Sequence, residues 1–96
     1  MFEVRRTTSF IEWLADLRDR EARARIAKRI DRIALGNLGD AKPVGGGVSE
    51  LRFAFGPGYR VYFTIRAGVV VILLCGGDKG SQARDIERAI DMAKEV

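Results

Sequence analysis

The chain has 96 residues, of which 47% are hydrophobic and 31% charged, a composition that suits one globular domain over residues 1–96. It contains no histidine and a single cysteine, which removes the commonest general base and metal ligand and any internal disulfide. No apolar run reaches the roughly 18 residues of a membrane span, and the first residues do not follow a secretory-signal pattern. We therefore expect a cytoplasmic protein without metal, cofactor or membrane contact, whose net charge of +4 favours an anionic partner.

The first third of the chain predicts a short strand and two amphipathic helices. The strand covers Phe2 to Arg6, and Thr8 or Ser9 then supplies the N-cap of a helix. Asp19 offers the start of a second helix, which Gly36-Asn37 ends. Apolar residues recur at helical spacing in both, namely Phe10, Trp13, Leu14 and Leu17 in the first and Ala22, Ile26, Ile30 and Ile33 in the second. We expect the two helices to form a hairpin packed against a sheet.

The remaining positions of the second helix are strongly basic, and a glycine-rich segment follows it. The basic residues are Arg20, Arg23, Arg25, Lys28, Arg29 and Arg32. Such a face suits a phosphate backbone, but a solvated surface explains it equally well. Gly39 to Gly47 is predicted to be a loop, and its three consecutive glycines lack the Gly-Lys-Ser/Thr of a phosphate-binding P-loop.

The segment from Val48 to Lys79 predicts a three-stranded antiparallel meander. Apolar residues alternate with polar ones on either side of the turn Gly56-Pro57-Gly58, and the run from Val69 to Cys75 is apolar throughout. Phe53 and Phe63 should therefore share one buried face. The opposite face, which we expect to be partly open, carries Arg52, Arg60, Tyr62 and Arg66. These side chains suit a nucleic-acid surface, although a solvated face is an equally good interpretation.

The end of the chain predicts one more helix. Ser81 is a possible N-cap, and the apolar side of the helix comprises Ile86, Ala89, Ile90 and Ala93. Cys75, inside the apolar run, is expected to be a buried, inert thiol.

Several of these segments, taken in order, resemble a known family. The residues that carry the resemblance are Leu51-Arg52, Gly58 to Phe63, Leu73 to Lys79 and Arg84 to Glu87. They are similar to the phage-derived "addiction module killer" proteins, which are HigB-like members of the RelE/ParE toxin superfamily. The resemblance covers essentially the whole chain. It implies an α+β fold of order β-α-α-β-β-β-α, with an antiparallel sheet and a helix hairpin packed on one face.

The resemblance also implies an activity and partners. Members are toxins of type II toxin–antitoxin systems, neutralised by an antitoxin that is usually a helix-turn-helix protein, here HigA-like. Operator DNA would be bound only through the complex with that antitoxin. RelE-type and HigB-type members cut messenger RNA on the ribosome, whereas ParE-type members of similar fold poison DNA gyrase. We expect a ribosome-dependent mRNA endoribonuclease, with a gyrase poison or an inactive antitoxin-binding module as alternatives.

The resemblance assigns candidate site residues to this chain. In RelE-like toxins three basic residues surround the scissile phosphate, and the matching positions here are Arg52, Arg60 and Lys79. We also expect RNA contacts from Tyr59, Tyr62, Arg66, Gln82 and Arg84. The chain lacks the histidines of some HigB proteins and the aromatic acid that some members carry near the C-terminus, where Asp85 falls instead. The general acid is therefore left open among Lys79, Tyr62 and Asp85.

These residues suit metal-independent cleavage, in which the RNA 2′-hydroxyl attacks the adjacent phosphate. The arginines would hold the non-bridging oxygens and stabilise the pentacovalent dianion. Purely structural roles are the alternative. Arg60 would then pair with Glu50 across the strands, and Lys79 would simply be exposed in its loop.

Overall fold

A computed structural model describes all residues 1–96 as a five-stranded sheet with three α-helices. The strands are β1 (Glu3–Arg6), β2 (Ala41–Gly45), β3 (Val48–Arg52), β4 (Arg60–Arg66) and β5 (Val70–Gly77). The helices are α1 (Thr8–Asp16), α2 (Arg20–Ala34) and α3 (Gln82–Ala93), and a 3-10 turn, Lys79–Ser81, precedes α3. The α+β class and the order of the helices confirm the predicted fold. None of the helices combines the length and apolar character that a membrane crossing requires.

The sheet is mixed and has one strand more than the sequence predicts. Its strand order is β1-β5-β4-β3-β2, with β1 parallel to β5 and every other pair antiparallel. The prediction of a loop over residues 39–47 is wrong, because Ala41–Gly45 pairs with β3 as an edge strand. Pro43 is tolerated there because an edge strand has one side on which no backbone hydrogen bond is needed.

The helix hairpin packs against one face of the sheet, as predicted. Phe10 of α1 and the stripe Ile26, Ile30 and Ile33 of α2 meet Leu51, Phe53, Val61, Phe63, Val71 and Leu73 in one buried cluster. Phe53 and Phe63 thus share a face, which confirms the predicted register. The N-cap of α1 is one residue earlier than predicted, since the Thr7 side chain accepts a hydrogen bond from the Phe10 amide at 3.1 Å. Asp19 caps α2 as expected.

The centre of the opposite face of the sheet is covered by α3, whereas its margins stay open, since the side chain of Arg52 is 41% exposed and Arg66 is exposed. Ala89 and Ala93 pack on Val48, Tyr62, Ile72, Leu74 and Cys75 in a second buried cluster. The Ser81 side chain makes no capping hydrogen bond to α3. Instead, the carboxylate of Asp78 caps the 3-10 turn before α3 by accepting hydrogen bonds from the amides of Gly80 and Ser81. Cys75 is buried as expected, and burial raises the pKa of its thiol to about 11.

Candidate functional site

A turn and a short helical segment form the frame of the candidate site. The turn between β3 and β4 contains Gly56 and Gly58, whose positive φ values of 57° and 76° are easily adopted by glycine. The Lys79 amide donates to the carbonyl of Pro57 at 3.4 Å, which ties the 3-10 turn to this connection. A Cβ atom placed on Gly58 would lie 3.2 Å from Lys79 Cβ and 3.5 Å from Arg60 Nη1. Lys79 and Arg60 therefore flank the same glycine.

Arg60 is held in place on two sides and is nearly buried. Its Nη1 donates to the carbonyl of Gly58 at 2.9 Å and to that of Tyr59 at 3.1 Å. Its Nε lies 4.0 Å from Glu50 Oε2, and the side chain is only 12% exposed. The Nη2 atom has no hydrogen-bond partner within the chain. The expectation that Arg60 stands on a solvated face is thus wrong, because Glu50 and the carbonyls of Gly58 and Tyr59 surround its guanidinium.

Arg52 lies directly opposite Arg60 in the β3–β4 register, so both side chains leave the same face of the sheet. Its guanidinium bonds Asp40 Oδ1 through Nη2 at 2.9 Å and through Nε at 3.2 Å. The hydrogen bond to Asp40 and the charge of this carboxylate raise the pKa of Arg52. Asp40 is a neighbour that the sequence pattern did not identify, because it lies outside the paired strands.

A buried carboxylate lies beneath this group. Glu50 is only 2% exposed although it is charged, and both its oxygens accept from Gln82 Nε2, at 3.2 and 2.9 Å. The sequence predicted Gln82 as an RNA contact, whereas the structure places its amide on Glu50. Asp85 is also buried and accepts a hydrogen bond from the Ser81 hydroxyl. In the sequence Glu50 alternates with apolar neighbours, and this pattern alone predicts a solvent-exposed position.

The other predicted RNA contacts are dispersed over the molecule. Tyr62 is fully buried, which prevents contact with RNA in this structure. Arg66, at the far end of β4, donates from Nη2 to the carbonyls of Ala93 and Val96 near the end of α3. Tyr59 packs half-buried between Trp13 and Phe55. Arg84 is exposed in the first turn of α3. The structure therefore brings together Arg52, Arg60, Lys79 and Gln82, and leaves Arg66 elsewhere.

A second positive surface, the α2 groove, lies on the helix-hairpin side of the molecule. It is a cavity of about 250 Å³ lined by Arg25, Lys28, Arg29, Arg32, Phe53, Ala54 and Phe55. The guanidinium of Arg25 covers the Phe55 ring at 4.8 Å, and that of Arg29 covers the Phe53 ring at 4.9 Å. Arg29 also donates to the carbonyls of Arg52 and Asp40, at 2.6 and 2.8 Å, and burial lowers its pKa. Lys28 and Arg32 remain exposed at the mouth of the groove.

The titratable groups set limits on the chemistry. No cluster of three or more Cys, Asp or Glu side chains has the arrangement of a metal site. Burial raises the pKa of Tyr62, and the charges of Glu50 and Asp85 add to the effect. The Tyr62 phenol therefore stays protonated and sealed from solvent. Of the three side chains considered as general acid, only Lys79 is exposed beside the arginines.

Comparison with known proteins places this chain in a family. An uncharacterised protein of Haemophilus influenzae is 47% identical over 94 residues, which cover 98% of this chain and 95% of that protein. A chain of the RelBE2 toxin–antitoxin complex from Mycobacterium tuberculosis matches the fold with a TM-score of 0.66 at 20% identity, over 81% of this chain and 98% of its own length. The family model described as phage-derived protein Gp49-like (DUF891) matches residues 12–96. The chain therefore belongs to the phage-derived Gp49-like family, in agreement with the phage-derived, RelE-type resemblance of its sequence.

Proposed function

We propose that the protein is the toxin of a type II toxin–antitoxin system and cleaves messenger RNA on the ribosome. The observation that carries the proposal is the grouping of Arg52, Arg60 and Lys79 at one end of the sheet. The family description supports a phage origin, and the fold is shared with a protein from a toxin–antitoxin complex. Such an enzyme would act where ribosomes are, in the cytoplasm.

In this mechanism the 2′-hydroxyl of the RNA loses its proton to water and attacks the adjacent phosphate, and the bond to the 5′-oxygen breaks to leave a 2′,3′-cyclic phosphate. The free Nη2 of Arg60 and the half-exposed guanidinium of Arg52 supply positive charge to the non-bridging oxygens as the dianion develops. Lys79 is exposed beside Arg60 and can give its proton to the leaving oxygen. The ribosome would orient the message, because the site alone holds few substrate-binding groups.

The proposed partner is a helix-turn-helix antitoxin of the HigA type, through which the complex would bind operator DNA. An acidic segment of the antitoxin would suit the positive charge of this protein, since basic residues exceed acidic ones by 17 to 13. Co-expression with the antitoxin should restore growth. If none of the proteins encoded next to the toxin restores growth, this assignment is contradicted.

The decisive variant is Lys79→Ala, because Arg60 cannot be truncated cleanly. Arg60→Ala would leave Glu50 charged and buried without a cation, a change of about 3–5 kcal/mol in other buried pairs. Lys79 is exposed, so its replacement should leave the thermal midpoint unchanged. We expect cleavage to fall about 10²–10³-fold, as when a transition-state donor is lost. Primer extension on a translated message after brief induction would measure it.

Lys94→Ala is the matched control, since Lys94 is an exposed lysine at the end of α3. It should cut like the wild type. Arg52→Ala should lose cleavage as Lys79→Ala does. Cuts that persist in Lys79→Ala would remove the catalytic assignment, and intact messages accompanied by DNA breaks would indicate gyrase as the target.

A further inference from the structure

Glu50 is a buried carboxylate that the proposed cleavage chemistry does not use. It lies in the middle of the sheet, opposite Tyr62 in the β3–β4 register, and is only 2% exposed. Arg60 is the only cation within 4.0 Å of it. Replacement of a buried ion pair by apolar residues is often neutral or stabilising, so stability alone does not explain the pair. Its geometry therefore points to another role.

The contacts around Arg60 leave a single accessible hydrogen-bonding atom free. Glu50 faces its Nε at 4.0 Å, which is an electrostatic attraction rather than a hydrogen bond. The carbonyls of Gly58 and Tyr59 occupy Nη1. Arg60 Nε is itself buried without a hydrogen-bond partner. Only Nη2 remains for a ligand, because Nε is buried and Nη1 already makes two hydrogen bonds.

Gln82 fixes the carboxylate in turn. Its Nε2 donates to both oxygens of Glu50, so the carboxylate cannot rotate freely towards or away from Arg60. Gln82 is the first residue of α3, and the 3-10 turn directly before it carries Lys79. The same contact therefore links the position of Lys79 to that of Arg60.

We propose that Glu50 and Gln82 are positioning residues for Arg60, which together aim its Nη2 at the phosphate of the RNA substrate. The inference rests on the proposed function. Glu50 touches no substrate and acts through the guanidinium, while Gln82 holds Glu50 and has no direct RNA contact of its own. Removing the charge of Glu50 releases the Nε side of Arg60 while the Nη1 bonds to the turn remain.

Glu50→Gln tests this with almost no change of shape. We expect the cleavage rate on translated message to fall about 10- to 100-fold, the range seen when groups that orient metal ligands are removed. Association with ribosomes should stay at the wild-type level, because a misaimed arginine affects the transition state more than binding. Glu87→Gln, the same change at an exposed position of α3, is the matched control and should cut normally.

The exchanged double variant Glu50→Gln/Gln82→Glu separates positioning from stability. It keeps the net charge, and an amide at position 50 can still bond a carboxylate at position 82. We expect the thermal midpoint to return towards the wild-type value while cleavage stays low, because the negative charge has moved away from Arg60 Nε. Recovery of both stability and cleavage would show a purely structural contact and overturn the proposal.

The Arg60 Nε–H signal in ¹⁵N NMR gives a readout that does not depend on activity. Glu50→Gln should shift this signal and speed its hydrogen exchange, and Glu87→Gln should leave both unchanged. An unchanged signal in Glu50→Gln would overturn the positioning role. If Lys79→Ala still cleaves the message, the proposed function is overturned, whatever Glu50→Gln does. Normal cleavage by Glu50→Gln, alongside a loss in Lys79→Ala, would overturn only the role of Glu50.

Discussion

The hydroxyl of Tyr62 is an unusual buried group, because it has no hydrogen-bond partner. Its ring lies between the sheet and α3, among Leu74, Cys75 and Ala89. A buried polar atom without a partner loses its hydration and gains nothing in return. Tyr62 therefore acts as a core residue whose hydroxyl weakens the packing that its ring provides.

Tyr62→Phe should therefore raise the free energy of unfolding by about 1 kcal/mol, the low end of the usual cost of an unsatisfied buried group. Cleavage should remain at the wild-type level, since a sealed ring does not reach RNA. Urea unfolding measures the free energy of unfolding, and primer extension measures the cleavage. Tyr62→Ala provides the contrast and should lose about 3–5 kcal/mol through the cavity it leaves. A drop of more than 1 kcal/mol in Tyr62→Phe would show that the hydroxyl is bonded after all.

The sequence predicts on which face of the sheet a side chain lies, but not whether a helix packs on that face. Alternation placed Phe53 and Phe63 together correctly, and it placed Arg60 and Tyr62 on the other side. It carries no information on whether a later helix lies over that side. The sequence shows the apolar side of α3 but not which surface that side covers. Solvent exposure of Tyr62 and Arg60 was therefore inferred wrongly.

Two consecutive glycines at the end of β5 let helices approach the sheet from both sides. A Cβ on Gly76 would overlap the Trp13 ring of α1, and a Cβ on Gly77 would overlap Asp85 of α3. Neither glycine has a positive φ, so the requirement is for space and not for an unusual backbone. Because successive residues of a strand face opposite sides, one pair of glycines serves both helices.

Gly76→Ala and Gly77→Ala should each destabilise the protein by about 1–3 kcal/mol or more, the usual range for overpacking. Gly77→Ala should in addition disturb cleavage, because it displaces the start of α3, where Gln82 lies. Gly80→Ala is the control, since its nearest neighbour is the end of the Asp78 side chain at 3.2 Å and its φ is not positive. Thermal unfolding of the three variants compares them directly, and equal midpoints would contradict the role of the pair.

Helices and strands could be predicted where the sequence patterns that indicate them are local. Periodicity and caps identified the helix hairpin and the β3–β4 meander. The sequence does not predict strand β2, because Pro43 and the neighbouring glycines indicate a loop. An edge strand nevertheless tolerates these residues. The parallel pairing of β1 was missed because its partner β5 lies far along the chain. The candidate site followed from the family resemblance, since only the folded turn brings Lys79 to Gly58.

At the scale of the whole molecule, positive charge is divided between two surfaces. Arg52, Arg60 and Lys79 lie at one end of the sheet, and the α2 groove opens on the helix-hairpin side. Arg25 and Arg29 already cover the two phenylalanine rings of the groove, which leaves Lys28 and Arg32 as its free charges. We expect these two to contribute to ribosome binding through phosphates and not to catalysis.

Lys28→Gln/Arg32→Gln should weaken ribosome binding and make it less sensitive to salt. Each lost phosphate contact lowers the slope of log affinity against log salt by about 0.7–0.9, so the slope should fall by about 1.4–1.8. Sedimentation with ribosomes over a range of salt concentrations measures it. Lys42→Gln/Lys94→Gln removes the same net charge from two other exposed positions. Equal slopes for the two double variants would show that only net charge matters.

The pairing of β1 with β5 has a consequence for the newly made protein. The first strand of the chain cannot pair until its partner has been synthesised, since Glu3 pairs with Val70, 67 residues later, and β5 also completes the hydrogen bonding of β4. Until β5 leaves the ribosomal exit tunnel, no intact sheet exists, and Lys79 and Gln82 follow β5 in the chain. Such long-range pairing is slow to form. On the proposed function, the residues that cleave RNA come together only after β5 is free, so the protein stays harmless to the ribosome that is making it.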